Sequence, residues 1–196
     1  MRLILASSSP RRQELLSQLG LSFEVMKPEI DESCRSGEAL VDYADRLSRE
    51  KAEVVAKALD ESPALVIAAD TIVIDHEGEL LGKPADAADA RRMLRHLRAR
   101  AHRVVTAFTL RQNAERPRVI TRHAQTVVHM RDYSDAEIDA YIASGDPFDK
   151  AGGYAIQNEA FQPVTRIEGS YSNVMGLPLE ALRAALREIG CPAHEL

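Results

Sequence analysis

Short apolar runs alternate with helix-forming segments along the whole chain, and this alternation restricts the possible folds more than any other feature. Runs typical of strands occupy residues 2–6, 23–26, 65–69, 72–74, 102–111, 119–130 and 164–167. Segments with helical periodicity and capping signals occupy residues 10–20, 38–59, 86–97, 134–145 and 178–190. This order of elements predicts a mixed α/β or α+β fold, with one sheet flanked by helices.

Size, charge and composition exclude several classes of protein. The 196 residues are enough for one domain, or for two lobes that share a core. A net charge of −5 disfavours duplex binding, and four Phe without any Trp disfavour an RNA-stacking module. No run approaches the roughly 18 apolar residues that span a bilayer, and the first apolar stretch is too short for a signal peptide. Cys34 and Cys191 fit neither a disulfide scaffold nor a zinc site. We therefore expect a cytoplasmic protein that binds neither nucleic acid nor membrane.

A serine-rich segment followed by two arginines is the first candidate for binding an anion. A strand is predicted to enter a helix through Ser8 and Ser9, with Pro10 at the first helical position. Free N–H groups and the positive end of the helix dipole favour an anion there. Arg11 and Arg12 are unfavourable in a first helical turn, so they suggest a negative group that comes from outside. A capped helix with solvated arginines is the alternative.

A carboxylate that follows an apolar run is the candidate for catalysis. Asp70 and Thr71 come directly after residues 65–69, and ligands collect at strand ends in α/β sheets. An aspartate there can bind Mg²⁺ or act as a general base toward water, although an aspartate that only caps a turn gives the same pattern. Asp31 or Glu32, in a polar loop, could complete a carboxylate pair around a metal.

Lysine is scarce in this chain, which draws attention to the positions that keep it. Of 25 basic residues, only five are lysines. Lys83 lies in a predicted loop between a glycine and a proline, and Lys51 lies on the long predicted helix. Both are candidate phosphate binders, because a lysine ammonium is a compact point charge. A surface salt link with Glu50 is the alternative for Lys51.

Three further segments have unusual composition. Residues 145–157 contain three glycines and a proline, and Gln157 offers a donor and an acceptor that suit the edge of a nucleobase. Ser170 and Asn173 could contact a ligand or satisfy backbone groups in a turn. Eight of the thirteen residues from 91 to 103 are Arg or His, and we interpret them as a solvated face, with an interaction with an acidic partner or RNA as the alternative.

Seven segments are distinctive when they are taken together and in order. They are Leu5-Ala-Ser-Ser-Ser-Pro-Arg-Arg12, the Glu32 region, Glu50-Lys-Ala52, Ala69-Asp-Thr71, Gly82-Lys-Pro84, Asp149-Lys-Ala-Gly152 through Gln157, and Gly169-Ser-Tyr-Ser-Asn-Val-Met-Gly-Leu-Pro178. This set resembles the Maf family of nucleoside triphosphate pyrophosphatases, first linked to septum formation, over nearly the whole chain. The stretch that ends at Gln157 resembles the dTTP/UTP branch of the family rather than the 7-methyl-GTP branch.

The resemblance implies a fold, a metal and several site residues. It implies one pyrophosphatase domain over residues 1–196, with an elongated mixed sheet of the Maf and ITPase-like type and a cleft between two lobes. It implies Asp70 as proton acceptor, and Arg12, Thr71 and Gln157 as positions linked to substrate choice. It also implies a divalent cation, Mg²⁺ or Mn²⁺, for which we expect Asp70 and Glu32 as ligands.

The expected reaction is cleavage of dTTP and UTP between the α- and β-phosphates by water, with release of pyrophosphate. The residues expected to hold the triphosphate are Ser8, Ser9, Arg11, Lys51 and Lys83. Two alternatives stay open: a pyrophosphatase for 7-methyl-GTP or another modified nucleotide, and a nucleotide-sensing binding protein that affects septum formation. A homodimer is the expected assembly, because two-fold dimers are the commonest oligomers.

Overall fold

The elements of the computed structural model, which describes residues 2–59 and 62–191, follow the predicted order closely. The strands are β1 (Arg2–Ala6), β2 (Glu24–Val25), β3 (Ala64–Ile74), β4 (Leu80–Leu81), β5 (Ala101–Asn113), β6 (Val119–Met130) and β7 (Val164–Glu168). The helices are α1 (Pro10–Ser17), α2 (Leu40–Ala58), α3 (Ala87–Leu97), α4 (Asp135–Ala143), α5 (Tyr171–Met175) and α6 (Leu179–Ile189). Two short 3₁₀ turns, Asp146–Asp149 and Ala151–Gly153, lie between α4 and β7.

The strands form one mixed sheet, which confirms the predicted fold class. The strand order is β2-β1-β3-β5-β6-β7, and β4 pairs with β3 off this path. Strand β1 pairs in parallel with β2 and β3, whereas β4 is antiparallel to β3 and β7 is antiparallel to β6. Among the helices of the described residues, none is both long and apolar enough to cross a membrane.

Two compact units divide the chain. The first, unit 1, comprises Met1–Asp70, Thr106–Ala124 and Gly176–Leu196. The second, unit 2, comprises Thr71–Val105 and Gln125–Met175. Each unit has an apolar cluster of its own, which supplies the main stabilisation of the elements around it.

In unit 1, one face of α2 covers the two parallel strands β1 and β3. Buried side chains from all three elements form a single cluster: Ile4, Ala6, Ala52, Val55, Ala56, Ala64, Val66 and Ala68. Small alanines on the helix and on the strands allow the two layers to approach closely. The helix therefore runs directly over β3, the strand that carries Asp70.

In unit 2, aromatic residues hold α3 and α4 against the sheet. The ring of Phe161 stacks on that of Tyr141 with centroids 4.4 Å apart, and it meets the ring of Tyr133 at 4.8 Å. The hydroxyl of Tyr133 donates to the carbonyl of Leu94, so this buried polar atom is satisfied. These contacts pack the segment after α4 against α4 and connect Tyr133 to α3.

The predicted strand end at Asp70 was wrong, because β3 continues to Ile74. The β-branched residues from Thr71 to Ile74 favour the extended backbone that carries the strand onward. On the side of β1, however, the pairing ends where Ala6 faces Ala68. Asp70 thus lies beyond the end of the neighbouring strand rather than at the end of its own.

Candidate active site

An ammonium group joins two carboxylates at the centre of the candidate site in unit 1. Lys51 Nζ donates to Asp70 Oδ1 at 2.7 Å and lies 2.6 Å from Glu32 Oε1. The side chains of Lys51 and Asp70 are only 9% and 11% exposed, whereas that of Glu32 is 57% exposed. Two carboxylates that converge on one cation create a place where positive charge is strongly favoured.

The structure excludes the surface interpretation of Lys51. Lys51 is buried, and its ammonium pairs with two carboxylates outside α2, those of Glu32 and Asp70. Glu50 instead accepts hydrogen bonds from Arg35 at 2.9 Å and from Arg46 at 3.1 Å. The scarce lysine on the helix therefore belongs to the carboxylate cluster.

Helix α2 also anchors the loop that carries Glu32. Tyr43 Oη donates to the backbone carbonyl of Glu32 at 2.7 Å. Arg46 donates to the carbonyl of Ser33 at 3.0 Å and pairs with Glu38 at 2.6 Å. Burial raises the pKa of the Tyr43 hydroxyl, so it keeps its proton as a donor at neutral pH.

The anchoring role of these two side chains was not predicted from the sequence. Tyr43 and Arg46 are three residues apart on α2 and therefore share a helical face, which was the available signal. The structure also decides between the two acidic residues of the loop. Asp31 is exposed and accepts from the Ser33 N–H at 2.9 Å, while Glu32 is the residue brought to Lys51.

The N-terminus of α1 has the predicted cap residues but no side-chain cap. Ser9 is the N-cap and Pro10 occupies the first turn, yet the Ser9 side chain makes no capping bond. The Ser9 N–H donates instead to Ser7 Oγ at 3.1 Å, and Ser8 is exposed. The first turn contains no acidic residue, so no carboxylate within it offsets the positive end of the helix dipole.

The Arg12 guanidinium is held close to the two carboxylates. Its Nε donates to the carbonyl of Gly176 at 2.8 Å, and one terminal nitrogen reaches Ser7 Oγ at 3.5 Å. Burial lowers the pKa of Arg12, while the negative charge of Asp70 opposes that shift, as Glu32 does more weakly. Arg11 lies beside it, half-buried. Unit 1 thus combines two carboxylates with three cationic side chains.

The predicted loops of unit 2 contact one another through glycines. The Gly152 N–H donates to the carbonyl of Gly82 at 2.9 Å. Gly153 has φ +69°, and a Cβ added there would lie 3.0 Å from Pro84 Cγ. The loop with Lys83 and the loop before Gln157 are therefore packed together, and both of these side chains are exposed. Thr71 follows Asp70 on β3 and is half-buried.

Lys150 stabilises the loop that leads to Gln157. Its ammonium donates to the carbonyl and to Oδ1 of Asp146, at 2.6 and 2.8 Å, and to Asp149 Oδ1 at 2.6 Å. Asn158 Nδ2 donates to the other carboxylate oxygen of Asp146 at 3.1 Å. Charge-assisted bonds of this kind keep a glycine-containing loop in one conformation.

Ser170 and Asn173 satisfy groups within unit 2, which favours the turn interpretation over ligand contact. The Asn173 side chain is fully buried, and its Nδ2 donates to the carbonyl of Val104 at 3.1 Å and to Thr126 Oγ1 at 2.9 Å. The Ser170 N–H donates to the same Thr126 oxygen at 3.0 Å. Gly169 lies so close that an added Cβ would be 2.7 Å from it.

Replacement of Asn173 by alanine should lower the free energy of unfolding by about 2–3 kcal/mol, because it leaves the buried Val104 carbonyl without its donor. Urea denaturation of wild type and variant measures this loss. Asn113→Ala is the control, since Asn113 is only half-buried and donates to the Ser62 carbonyl at 3.2 Å. Equal losses in the two variants would contradict a special role for the buried amide.

The basic cluster from residue 91 to residue 103 is mostly an exposed face with paired charges. Arg92 and Arg95 each lie 2.6 Å from a carboxylate, Asp89 and Asp135 respectively. His102 was wrongly included in this solvated face. It is buried on β5, and its Nε2 lies 2.7 Å from the hydroxyl of Tyr154.

Comparisons with known proteins identify the family of this chain. Residues 2–189 match the model of the family described as Maf-like protein. The chain therefore belongs to the Maf-like protein family, as the seven segments predicted. A dTTP/UTP pyrophosphatase of Geotalea uraniireducens is 52% identical over 188 residues, which cover 96% of this chain and 95% of that protein. A dTTP/UTP pyrophosphatase of Chromobacterium violaceum is 49% identical over 194 residues, with the same coverage of 96% and 95%.

One solved structure shows the same fold at much lower sequence identity. The HAM1 protein from Coxiella burnetii superposes with a TM-score of 0.52 and 17% identity. The match covers 96% of this chain and 99% of that one. This likeness supports the ITPase-like architecture and nothing beyond the fold.

Proposed function

We propose that the protein is a nucleoside triphosphate pyrophosphatase that hydrolyses dTTP and UTP to the monophosphate and pyrophosphate. The observation that carries this proposal is the buried Lys51, which bridges Asp70 and Glu32 beside Arg12. Carboxylates suit a metal and an attacking water, and cations suit a triphosphate. The names of the relatives support the choice of dTTP and UTP. We also propose that residues 1–196 act as one domain in the cytoplasm.

A divalent cation fits the two carboxylates. Asp70 and Glu32 already converge on one ammonium group, and carboxylate oxygens are the ligands that Mg²⁺ and Mn²⁺ prefer. These two residues would hold the ion, which when bound would acidify a water and neutralise phosphate charge. The donor set contains no nitrogen or sulfur ligand, and this favours a hard cation.

Asp70 is proposed as the general base. Lys51 donates to Oδ1, so we assign Oδ2 to accept the proton of the water that attacks the α-phosphorus. The burial of the pair limits the access of bulk water to that proton transfer. Tyr43 contributes indirectly, because its bond to the Glu32 carbonyl fixes the loop on which the second carboxylate lies.

The remaining roles rest on the resemblance and stay proposals. The triphosphate would be held by Ser8, Ser9, Arg11, Lys51 and Lys83. Substrate choice would depend on Arg12, Thr71 and Gln157. The bonds of Arg12 to the Gly176 carbonyl and to Ser7 support a fixed orientation for this guanidinium, which selection of a base requires.

Lys83→Ala should lower kcat/KM for dTTP by about 10- to 100-fold, because a hydrogen bond to a charged phosphate contributes roughly 1.5–3 kcal/mol. Steady-state kinetics at fixed Mg²⁺ measure the effect. Lys57→Ala is the matched control, since Lys57 is 72% exposed and pairs with Glu53. Wild-type kinetics in the Lys83 variant would show that this lysine does not contact the substrate.

The open alternatives concern the substrate and the assembly. If pyrophosphate is released from 7-methyl-GTP alone, the proposed reaction stands but the protein belongs to the other branch of the family.

A homodimer is also proposed, and sedimentation velocity of the purified chain tests it directly. A single species with the mass of one chain would exclude the dimer.

A further inference from the structure

A carboxylate and two imidazoles meet in unit 2, and none of them has a role in the proposed reaction. Asp75 and His76 form the turn after β3, and His96 lies in the last turn of α3. One ligand atom from each residue lies within 4.8 Å of the others. The two imidazole rings are 4.7 Å apart, centre to centre. The three side chains come from one turn and one helix and converge on one point.

The backbone of the turn sets the orientation of Asp75. Its Oδ1 accepts from the N–H groups of Glu77 and Glu79, at 2.9 and 2.8 Å. Its Oδ2 is directed to His96 Nε2 at 2.8 Å. Asp75 is 5% exposed, so the carboxylate cannot turn freely toward solvent. Metal ligands are commonly held in this way, by hydrogen bonds to the oxygen that does not bind the ion.

His76 presents a basic nitrogen at the same place. Arg100 lies on the solvent side, with its terminal nitrogen 3.2 Å from His76 Nε2. A guanidinium has no acceptor, so this hydrogen bond requires a lone pair on Nε2. An imidazole with such a lone pair is a ligand for zinc-like cations. Because Arg100 is exposed, a cation can displace it from the lone pair.

A cavity of about 310 Å³ adjoins two of the three residues, Asp75 and His76, and a further histidine without a role in the proposed reaction lines it. Asp75, His76, His102 and Arg103 are among its lining residues. His102 is 2% exposed, and its Nδ1 has no hydrogen-bond partner within the described part of the chain. Burial lowers the pKa of His102 to about 4, so the ring is neutral at pH 7. Buried polar atoms without a partner are rare, which points to a polar ligand in this cavity.

We infer that Asp75, His76 and His96 form a second metal site, for a transition-metal dication of the zinc class, with its remaining coordination directed to the cavity. Two imidazole nitrogens and one carboxylate oxygen suit Zn²⁺, Co²⁺ or Ni²⁺ better than Mg²⁺. The donor set thus separates this site from the all-oxygen pair Asp70 and Glu32. The inference does not depend on the proposed hydrolysis.

Calorimetric titration of the whole chain with Co²⁺, in the presence of saturating Mg²⁺, tests the inference. Mg²⁺ blocks the carboxylate pair, and we expect one equivalent of Co²⁺ with a visible d–d absorption band. His96→Gln and His76→Gln should each weaken Co²⁺ binding at least tenfold. Loss of a residue that only hydrogen-bonds to a metal ligand already weakens metal binding by about 10- to 100-fold. Glutamine keeps a hydrogen-bond donor beside Asp75, so the turn should remain folded.

Two control variants test whether Co²⁺ binds instead to a histidine or a cysteine elsewhere in the chain. His123→Gln removes a histidine that pairs with Asp45 at 3.3 Å in unit 1, and Cys34→Ser removes an exposed thiol. Both should bind Co²⁺ as wild type does. The inference is overturned if wild type binds no Co²⁺ above Mg²⁺. It is equally overturned if the two cluster variants, with unchanged circular dichroism, bind Co²⁺ like wild type.

Discussion

Asp70→Asn should lower kcat for dTTP and UTP by about 10²- to 10⁴-fold, the usual contribution of a general base. The amide has nearly the shape of the carboxylate but cannot accept the proton of the attacking water. It also weakens the pair with Glu32 that would hold the metal. The side chain is 11% exposed, and asparagine fills the same space, so the fold should be kept.

Pyrophosphate release at saturating nucleotide and Mg²⁺ measures this loss. Asp45→Asn is the matched control, because Asp45 lies on α2 and accepts from His123 rather than from Lys51. The control should turn over at the wild-type rate. Near-normal turnover in the Asp70 variant would remove Asp70 from the role of base, whatever its effect on stability.

Replacement of Lys51 by methionine should lower the free energy of unfolding by about 3–5 kcal/mol in the absence of divalent cations. The variant leaves the buried carboxylate of Asp70 without its cation, and an unpaired buried charge carries a penalty of that size. Methionine keeps most of the buried aliphatic volume, so the loss reports on charge rather than on a cavity. Urea denaturation in EDTA measures it.

Two further results distinguish this account from simple loss of packing. Mg²⁺ should restore part of the stability of Lys51→Met, since Asp70 and Glu32 are the proposed ligands of that ion. The double variant Lys51→Met/Asp70→Asn should be more stable than Lys51→Met alone, because the unpaired charge is gone. If Mg²⁺ and the second substitution both leave the stability unchanged, the bridge does not contribute as described.

Local signals predicted the helices and most strands well. Both bonds of the capping box between Ser134 and Glu137 form at the start of α4, and Asp86 caps α3 through the Asp89 N–H. These signals depend on residues three positions apart, so a sequence displays them directly. Helix α5 was missed because five residues are too few to show an apolar stripe.

Pairing between distant segments was much harder to predict. The position of Asp70 depends on where β1 stops, and nothing near residue 70 encodes the end of another strand. The burial of His102 likewise depends on Tyr154, which lies 52 residues further along the chain. The cluster of Asp75 with His96 spans 21 residues and joins a turn to a helix.

The charged residues that lie together in unit 1 were easier to find from the sequence than the bonds that hold them in place. Motifs within a few residues identified Arg12, Lys51 and Asp70 and suggested Glu32, and the structure brings these four together. The tyrosine on α2 that fixes the Glu32 loop bonds to a backbone carbonyl, which carries no side-chain signature. Supporting bonds of this kind become visible only when the fold is known.

The most direct test of the account is pyrophosphate release by the purified protein with Mg²⁺ or Mn²⁺. The substrates are dTTP, UTP, CTP, dCTP, GTP and 7-methyl-GTP, each with wild type and Asp70→Asn. We predict strong release from dTTP and UTP that the substitution abolishes. Binding of nucleotides without release from any of them would contradict a pyrophosphatase and favour a nucleotide sensor.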